Sequence, residues 1–297
     1  MTRLELDYKN EVAEALIKAR DNFSGSDAVF ARQYGVSSSI FSRIKKGERE
    51  NILSDVQWLS IGSRMDVSIN KRKWNIARTT VLKRIEEEVV FCKTYSKSMI
   101  FCDEAEIGKT VASKHLSLSL KNCFRVDGSQ CKTTSLFIKE LAKVIGVDIT
   151  GTMTEIDRNI KTYLRAIERP IVLIDDAGYL EIKTFMKIIE YWNSTENIAG
   201  WYLLGDDTLK AKLLWHIEKK HVGFKALLSR LSGNFSNIVP SDKAEKQAFY
   251  RQLITDVISV NVEDKAIVPS IVKRCLIQRD GSVGGLRRAE SLLILNS

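Results

Sequence analysis

The chain has 297 residues, 44% of them hydrophobic and 28% charged, with a formal net charge of +9. That much apolar mass excludes disorder and supplies one large core with a smaller unit beside it, and the basic surplus permits a polyanionic partner. No run approaches the roughly 18 apolar residues of a membrane span, and Met1-Thr2-Arg3-Leu4-Glu5 opens no apolar signal segment, so a soluble cytoplasmic protein is expected.

The first helix is expected from Asp7 through Ala19, with Val12, Ala15, Leu16 and Ala19 on one face. Gly25-Ser26-Asp27 opens a second and Ser37-Ser38-Ser39 a third, closed by Gly47; a fourth runs from about Ser54. Residues 67–80 are polar and basic and read as a linker. A helix over Thr80 to Tyr95 then leads to an apolar strand, Ser98 to Cys102. Further strands are expected near Cys123–Val126, at Ile171–Asp175 and at Trp201–Gly205, with helices at Ser135–Ile145 and Thr154–Ile167. Short apolar strands alternating with helices predict a parallel α/β sheet. After Ser241 the pattern is helical. The expected division is 1–66 all-helical, 67–80 linker, 81–240 α/β and 241–297 a helical lid. The five cysteines and three histidines keep no disulfide or metal-ligand spacing, so reduced core thiols are expected.

The loop after the first strand reads Asp103-Glu104-Ala105-Glu106-Ile107-Gly108-Lys109-Thr110 and runs into a helix. A strand–loop–helix of this kind cradles phosphates on backbone N–H groups at a helix N-terminus. Its lysine reaches the outer phosphates and its hydroxyl binds Mg²⁺. Ala105, Glu106, Ile107, Gly108, Lys109, Thr110 and Val111 are the candidate nucleotide-binding residues. Asp103 stands where the phosphate-loop pattern has glycine, and the turn then relies on aspartate's tolerance of left-handed geometry. Asp103, Glu104 and Glu106 also set three carboxylates beside a polyanion, which weakens binding unless they point elsewhere. About 65 residues on, Pro170-Ile171-Val172-Leu173-Ile174-Asp175-Asp176 is an apolar strand ending in two acids. A buried strand delivers Asp175 to the edge of the sheet where ligands of open α/β folds bind. Thr110 and Asp175 are therefore the candidate metal ligands, and Asp176 is placed to orient the attacking water.

Taken together the chain resembles the AAA+ ATPases, and within them the transposition ATPases that include the B protein of bacteriophage Mu. The resemblance spans roughly residues 75–297 and rests on four segments. Glu104 to Thr110 is similar to the family's phosphate loop, and the Asp175-Asp176 strand matches one that more often ends Asp-Glu. Leu203-Leu204-Gly205-Asp206 resembles the sensor-1 strand, which usually ends Gly-Asn. Gly284-Gly285-Leu286-Arg287-Arg288 resembles the sensor-2 segment of the lid. Leu228-Ser229-Arg230-Leu231 resembles the segment that carries an arginine finger. By that resemblance Lys109, Asp175, Asp176, Asp206, Arg230 and Arg287 form the catalytic set, with Arg230 reaching a neighbouring subunit's nucleotide and Arg287 its own. ATP and Mg²⁺ are the implied cofactors. Double-stranded DNA, a transposase and further copies of the chain, in ATP-dependent oligomers or filaments, are the implied partners, with no membrane. The acidic departures at Asp103, Glu106, Asp176 and Asp206 imply that binding persists while hydrolysis is slow or absent: Asp176 is one methylene shorter than glutamate, and ionised Asp206 cannot donate a hydrogen bond.

Residues Ala28 to Gly47 resemble the helix-turn-helix of phage repressors. Ala31 is small where two helices cross, Gly35 permits the turn, and Val36, Ile40 and Ile44 pack inward. Ser37, Ser38, Ser39, Ser42, Arg43, Lys45 and Lys46 are then the candidate DNA contacts, joined by Lys71, Arg72 and Lys73. Residues 1–70 hold ten basic and ten acidic side chains, so DNA affinity there depends on local placement. An ATP-dependent factor that assembles on target DNA and recruits a transposase is the leading reading. A nucleotide-gated repressor, a helicase loader and a non-hydrolysing scaffold are the alternatives.

Overall fold

Four helices open the chain in the computed structural model, which describes residues 4–23, 25–65, 67–69, 74–276 and 284–296. They are α1 (Leu6–Asp21), α2 (Asp27–Gln33), α3 (Ser38–Lys45) and α4 (Asp55–Arg64). Ser26, Ser37 and Ser54 cap the last three by accepting from Val29, Ile40 and Gln57 N–H, and Gln57 returns the bond to Ser54 as a capping box. The turn from α2 to α3 passes through Gly35 at φ +70°, a conformation in which a Cβ is strained. Phe30, Ala31, Phe41 and Ile44 close the core between these helices, and the Phe30 and Phe41 rings lie 5.2 Å apart. Trp58 is fully buried.

The α/β part follows as α5 (Thr80–Tyr95), β1 (Ser98–Cys102), α6 (Lys109–Ser119), β2 (Cys123–Asp127), α7 (Thr134–Ile145), α8 (Met153–Ala166), β3 (Ile171–Asp175), α9 (Ile182–Ser194), β4 (Gly200–Gly205), α10 (Asp207–Glu218), α11 (Phe224–Arg230) and β5 (Phe235–Ser236). The strands lie in the order β2-β3-β4-β1-β5, all parallel. Every residue of β3 and β4 is buried, as a parallel sheet covered on both faces requires. The strand β5 and the helices α9, α10 and α11 carry no expectation from the sequence; a two-residue edge strand has no periodicity to read. The C-terminal helices α12 (Lys243–Ser259), α13 (Val268–Leu276) and α14 (Leu286–Asn296) pack on one another.

Side chains alternate across the sheet and divide the core in two. Val172, Ile174, Trp201 and Leu203 face one cluster, and Leu173, Tyr202 and Leu204 face the other, with α5, α6 and the C-terminal helices. The first cluster also holds Leu16, Phe30, Phe41 and Trp58, so α1–α4 share an apolar core with the sheet's near face. Polar bonds reinforce the joint: Asn22 Nδ2 donates to the Leu118 carbonyl at 2.8 Å and Gln33 Nε2 to that of Val144 at 2.6 Å. All five cysteines are buried and free. No helix among the described residues is long and apolar enough to cross a membrane. Lys71, Arg72 and Lys73, expected as linker contacts to DNA, lie outside the described residues.

Candidate nucleotide site

The loop between β1 and α6 is anchored from within. Ile107 is buried in the second core cluster, while Ala105 and Val111 are exposed and Glu106, Gly108, Lys109 and Thr110 half-buried. The left-handed positions are Glu106 at φ 62° and Gly108 at φ 101°. Asp103, the residue at the expected glycine, is not among them. Alternating handedness of this kind turns successive N–H groups into a concave anion nest, and the first N–H groups of α6 have no acceptor within the helix. Lys109 Nζ folds back onto the loop, donating to the Asp103 carbonyl at 2.8 Å and to that of Glu104. Burial lowers its pKa, while the carboxylates of Asp103, Asp206 and Asp175 oppose that shift.

The three loop acids do not crowd the nest. Asp103 is 4% exposed and turns inward. Its Oδ1 accepts from Glu104 N–H at 2.8 Å, and its Oδ2 from the N–H groups of Ile238 and Val239 at 2.6 and 2.9 Å. It therefore ties the loop to the segment that follows β5. Glu104 turns to α12, where Lys246 Nζ and the Tyr250 hydroxyl donate to it, the latter at 2.7 Å. Burial, then the bond to Glu104, push the Tyr250 pKa up, so it stays a donor. Glu106 meets the start of α14. Its carbonyl accepts from Leu286 N–H at 3.0 Å, its carboxylate lies 3.7 Å from Arg287 Nη1, and a Cβ at Gly285 would fall 2.4 Å from its own Cβ. The concern that three free carboxylates face the phosphates is thus corrected: one is buried on backbone donors and two are held by the C-terminal helices. An open cleft of about 600 Å³ lies between, lined by Ala105, Glu106, Tyr250, Gly285, Arg287 and Arg288 among others. Arg287 is 83% exposed at its rim.

Asp175 ends β3 at 1% exposure. Its Oδ2 accepts from Ser113 Oγ at 2.9 Å and from Arg125 Nη2 at 2.6 Å. Asp176 follows in a left-handed conformation at φ 52°. Burial raises its pKa, and the negative charges of Asp175 and Asp127 raise it further against the pull of Arg125 and Lys109. Asp206 follows β4 as the cap of α10, accepting from Thr208 N–H at 3.0 Å and Leu209 N–H at 3.4 Å. Burial disfavours its charge, but the bond from the Thr208 hydroxyl, these N–H bonds and Lys109 outweigh it and lower its pKa. The lost asparagine donor at this position is offset locally by a helix cap that needs only an acceptor. Arg230 sits apart from this group, its Nε on Asn193 Oδ1 at 2.9 Å and its guanidinium 5.0 Å from the Trp192 ring.

Lys109 and Thr110 at the start of α6, Asp175 and Asp176 at the end of β3 and Asp206 after β4 thus lie at one edge of the sheet, and Arg287 of α14 lies 3.7 Å from Glu106 of the loop before α6. The donor set fits a magnesium nucleotide: a nest of N–H groups, a lysine, a hydroxyl and a carboxylate. Ser113, Arg125, Lys246 and Tyr250 escaped the sequence reading. Arg125 had a signal, a lone charge inside the apolar strand Cys123-Phe124-Arg125-Val126.

On α3, Ser37, Ser38, Ser39, Arg43, Lys45 and Lys46 are exposed and Ser42 is half-buried. Two of the cations are engaged: Arg43 pairs with Glu48 at 2.7 Å and Lys45 with Asp27. Ser37 serves as the cap and shares a bond with Ser39.

No family model matches the chain, and no curated protein matches it. Solved structures do. The Orc1 protein of Aeropyrum pernix, solved in complex with DNA, is 14% identical with a TM-score of 0.52, over 74% of this chain and 59% of that one. Cdc6p of Pyrobaculum aerophilum is 14% identical with a TM-score of 0.54, over 78% of this chain and 64% of that one. The match therefore spans about three fifths of each of these proteins. With its parallel sheet flanked by helices, its phosphate-type loop after β1 and its C-terminal helical region, the chain has the P-loop AAA+ fold.

Proposed function

We propose that this protein binds ATP and DNA, assembles on double-stranded DNA as an ATP-dependent oligomer or filament, and recruits or regulates a transposase. The observation that carries the nucleotide half is the convergence of Lys109, Thr110, Asp175 and Asp176 at one sheet edge, the end at which β1 and β3 run into their loops. In this reading the nest from Ala105 to Val111 holds the phosphates, and Lys109 exchanges the loop carbonyls for phosphate oxygens. Bound between Thr110 and Asp175, Mg²⁺ would neutralise phosphate charge. Asp176 accepts a hydrogen bond from the attacking water, Arg287 reaches the outer phosphate from the lid, and Arg230 serves a neighbouring copy. Cations so placed stabilise the charge of a transferring phosphoryl group. Hydrolysis is slow in this scheme, because Asp176 has a shorter reach than glutamate.

The DNA half is supported by α2 and α3, joined through Gly35 with Ser38, Ser39, Arg43 and Lys45 of α3 exposed. A short helix of this kind presents polar residues to base edges and cations to phosphates. Residues 1–66 are then the DNA-binding unit, 81–240 the ATPase unit and 241–297 its lid. Mixing the purified chain with plasmid DNA, with and without ATP and Mg²⁺, and imaging the product tests the proposal. ATP-dependent coating of the DNA that Lys109→Ala abolishes is expected; its absence in the unaltered protein sinks the assembly role. Binding across random duplexes separates this reading from a nucleotide-gated repressor, which requires one strongly preferred site.

A further inference from the structure

Arg125 has no place in the phosphate loop, the lid or the sensor strand, yet it makes a buried ion pair with Asp175. It lies on β2, where the register sets Arg125 opposite Leu173 and Asp127 opposite Asp175. Its Nη2 is 2.6 Å and its Nε 3.2 Å from Asp175 Oδ2, the oxygen that also accepts from Ser113 Oγ. The side chains of Arg125 and Asp175 are 15% and 1% exposed. Away from water, a pair of unit charges at this separation interacts several-fold more strongly than at the surface. The second carboxylate in reach of Arg125 is Asp127, whose Oδ2 is 3.4 Å from Nη2 while its Oδ1 is taken by Ser129. Arg125 also lines a cavity of about 340 Å³ beneath α1–α4, beside Tyr34 and Arg64.

We propose that Arg125 is a positioning residue that makes divalent-ion binding at Asp175 conditional on nucleotide. Its bonds, with that of Ser113, fix the carboxylate by Oδ2 and leave Oδ1 for the metal. Its charge opposes a bare cation at that oxygen. Phosphate oxygens supply the missing negative charge, since Mg²⁺ and Mn²⁺ are bound by few carboxylates plus substrate phosphates. Metal therefore enters with the nucleotide rather than ahead of it. This inference rests on the nucleotide reading above, and its test separates the two.

The full chain is titrated with Mn²⁺ in the absence of nucleotide, followed by the resonance of the free ion, as the natural protein, Arg125→Gln and Arg125→Lys. Removal of the charge is expected to tighten Mn²⁺ binding by at least about tenfold, and lysine, which keeps it, to stay within about threefold of the natural protein. Equal affinity in the natural protein and Arg125→Gln overturns the inference, as does lysine behaving like glutamine. Should glutamine prevent folding, the natural protein still decides: its ADP affinity by calorimetry should rise at least about tenfold with Mn²⁺, the reciprocal of nucleotide strengthening the metal. No rise overturns the inference. Failure to bind ADP under any condition overturns instead the nucleotide reading on which it stands.

Discussion

Replacing Asp103 by the glycine that a phosphate loop ordinarily carries is expected to damage the protein rather than improve it. The carboxylate accepts three backbone N–H bonds, from Glu104, Ile238 and Val239. A hydrogen bond to a charged group contributes about 1.5–3 kcal/mol, and a buried donor left unmade costs about 1–3 kcal/mol. The three losses are unequal. Glu104 and Ile238 are half-buried, so water can replace part of what is lost; Val239 is buried, so its N–H carries the full penalty. Asp103 also does not occupy a left-handed conformation, so glycine relieves no strain and adds unfolded-state entropy, at about 0.5–1 kcal/mol. A net loss of about 3–4 kcal/mol follows from these terms, a large share of the roughly 5–15 kcal/mol that stabilises a typical domain. Denaturant unfolding of Asp103→Gly against the natural protein measures it, with calorimetry against ATP and Mg²⁺ reporting whether the loop still binds. An Asp103→Gly protein as stable as the natural one, or one that binds ATP more tightly, refutes the assignment of Asp103 as the tie between the loop and the segment after β5.

Lys109→Ala is expected to remove the thermal stabilisation by ATP and Mg²⁺, which reaches about 2.7 kcal/mol at a hundredfold excess over Kd; a thermal shift equal to that of the natural protein contradicts the nucleotide site. Asp176 has a pKa raised in the folded state, first by burial and then by Asp175 and Asp127. Its ionisation therefore costs stability above its folded pKa, and the cost vanishes at pH values below the unfolded pKa, where both states are protonated. Asp176→Asn should raise Tm at pH 7 and leave it unchanged near pH 3; the same rise at both pH values contradicts the cause. Arg43→Ala and Lys46→Ala should each weaken DNA binding across sequences and lower the salt slope by about one if they contact phosphates. A slope unchanged in both variants removes α3 from the DNA surface.

Much of this molecule is legible in one dimension. The helix at Thr80–Tyr95 and the strands at Ser98–Cys102 and Ile171–Asp175 fall where the sequence predicts them. Their signals are local: a capping threonine, an apolar run, an acidic stop. Gly108 and Gly35 likewise announce backbone turns that favour the absence of a Cβ. The loop's lysine, Lys109, and the strand's paired acids, Asp175 and Asp176, are adjacent in meaning though far apart in the chain, because strand ends of a parallel sheet share one edge.

What the local signals do not contain is direction. The run Asp103, Glu104, Glu106 reads as three charges against a phosphate, and only the packed structure sends one inward to Ile238 and Val239 and two toward Lys246 and Arg287. Arg125 reads as an oddity in a strand until β2 is set beside β3 and the side chain meets Asp175. The edge strand β5 exists because Ile100 and Phe101 offer it a ladder, not because Phe235-Ser236 has any pattern of its own. Periodicity and turn chemistry, which act within a few residues, were determined by the sequence itself. The partner of each charge was decided by strand order and lid docking, because an ion pair depends on distance in space, and contacts spanning 50 to 146 residues leave no spacing to read.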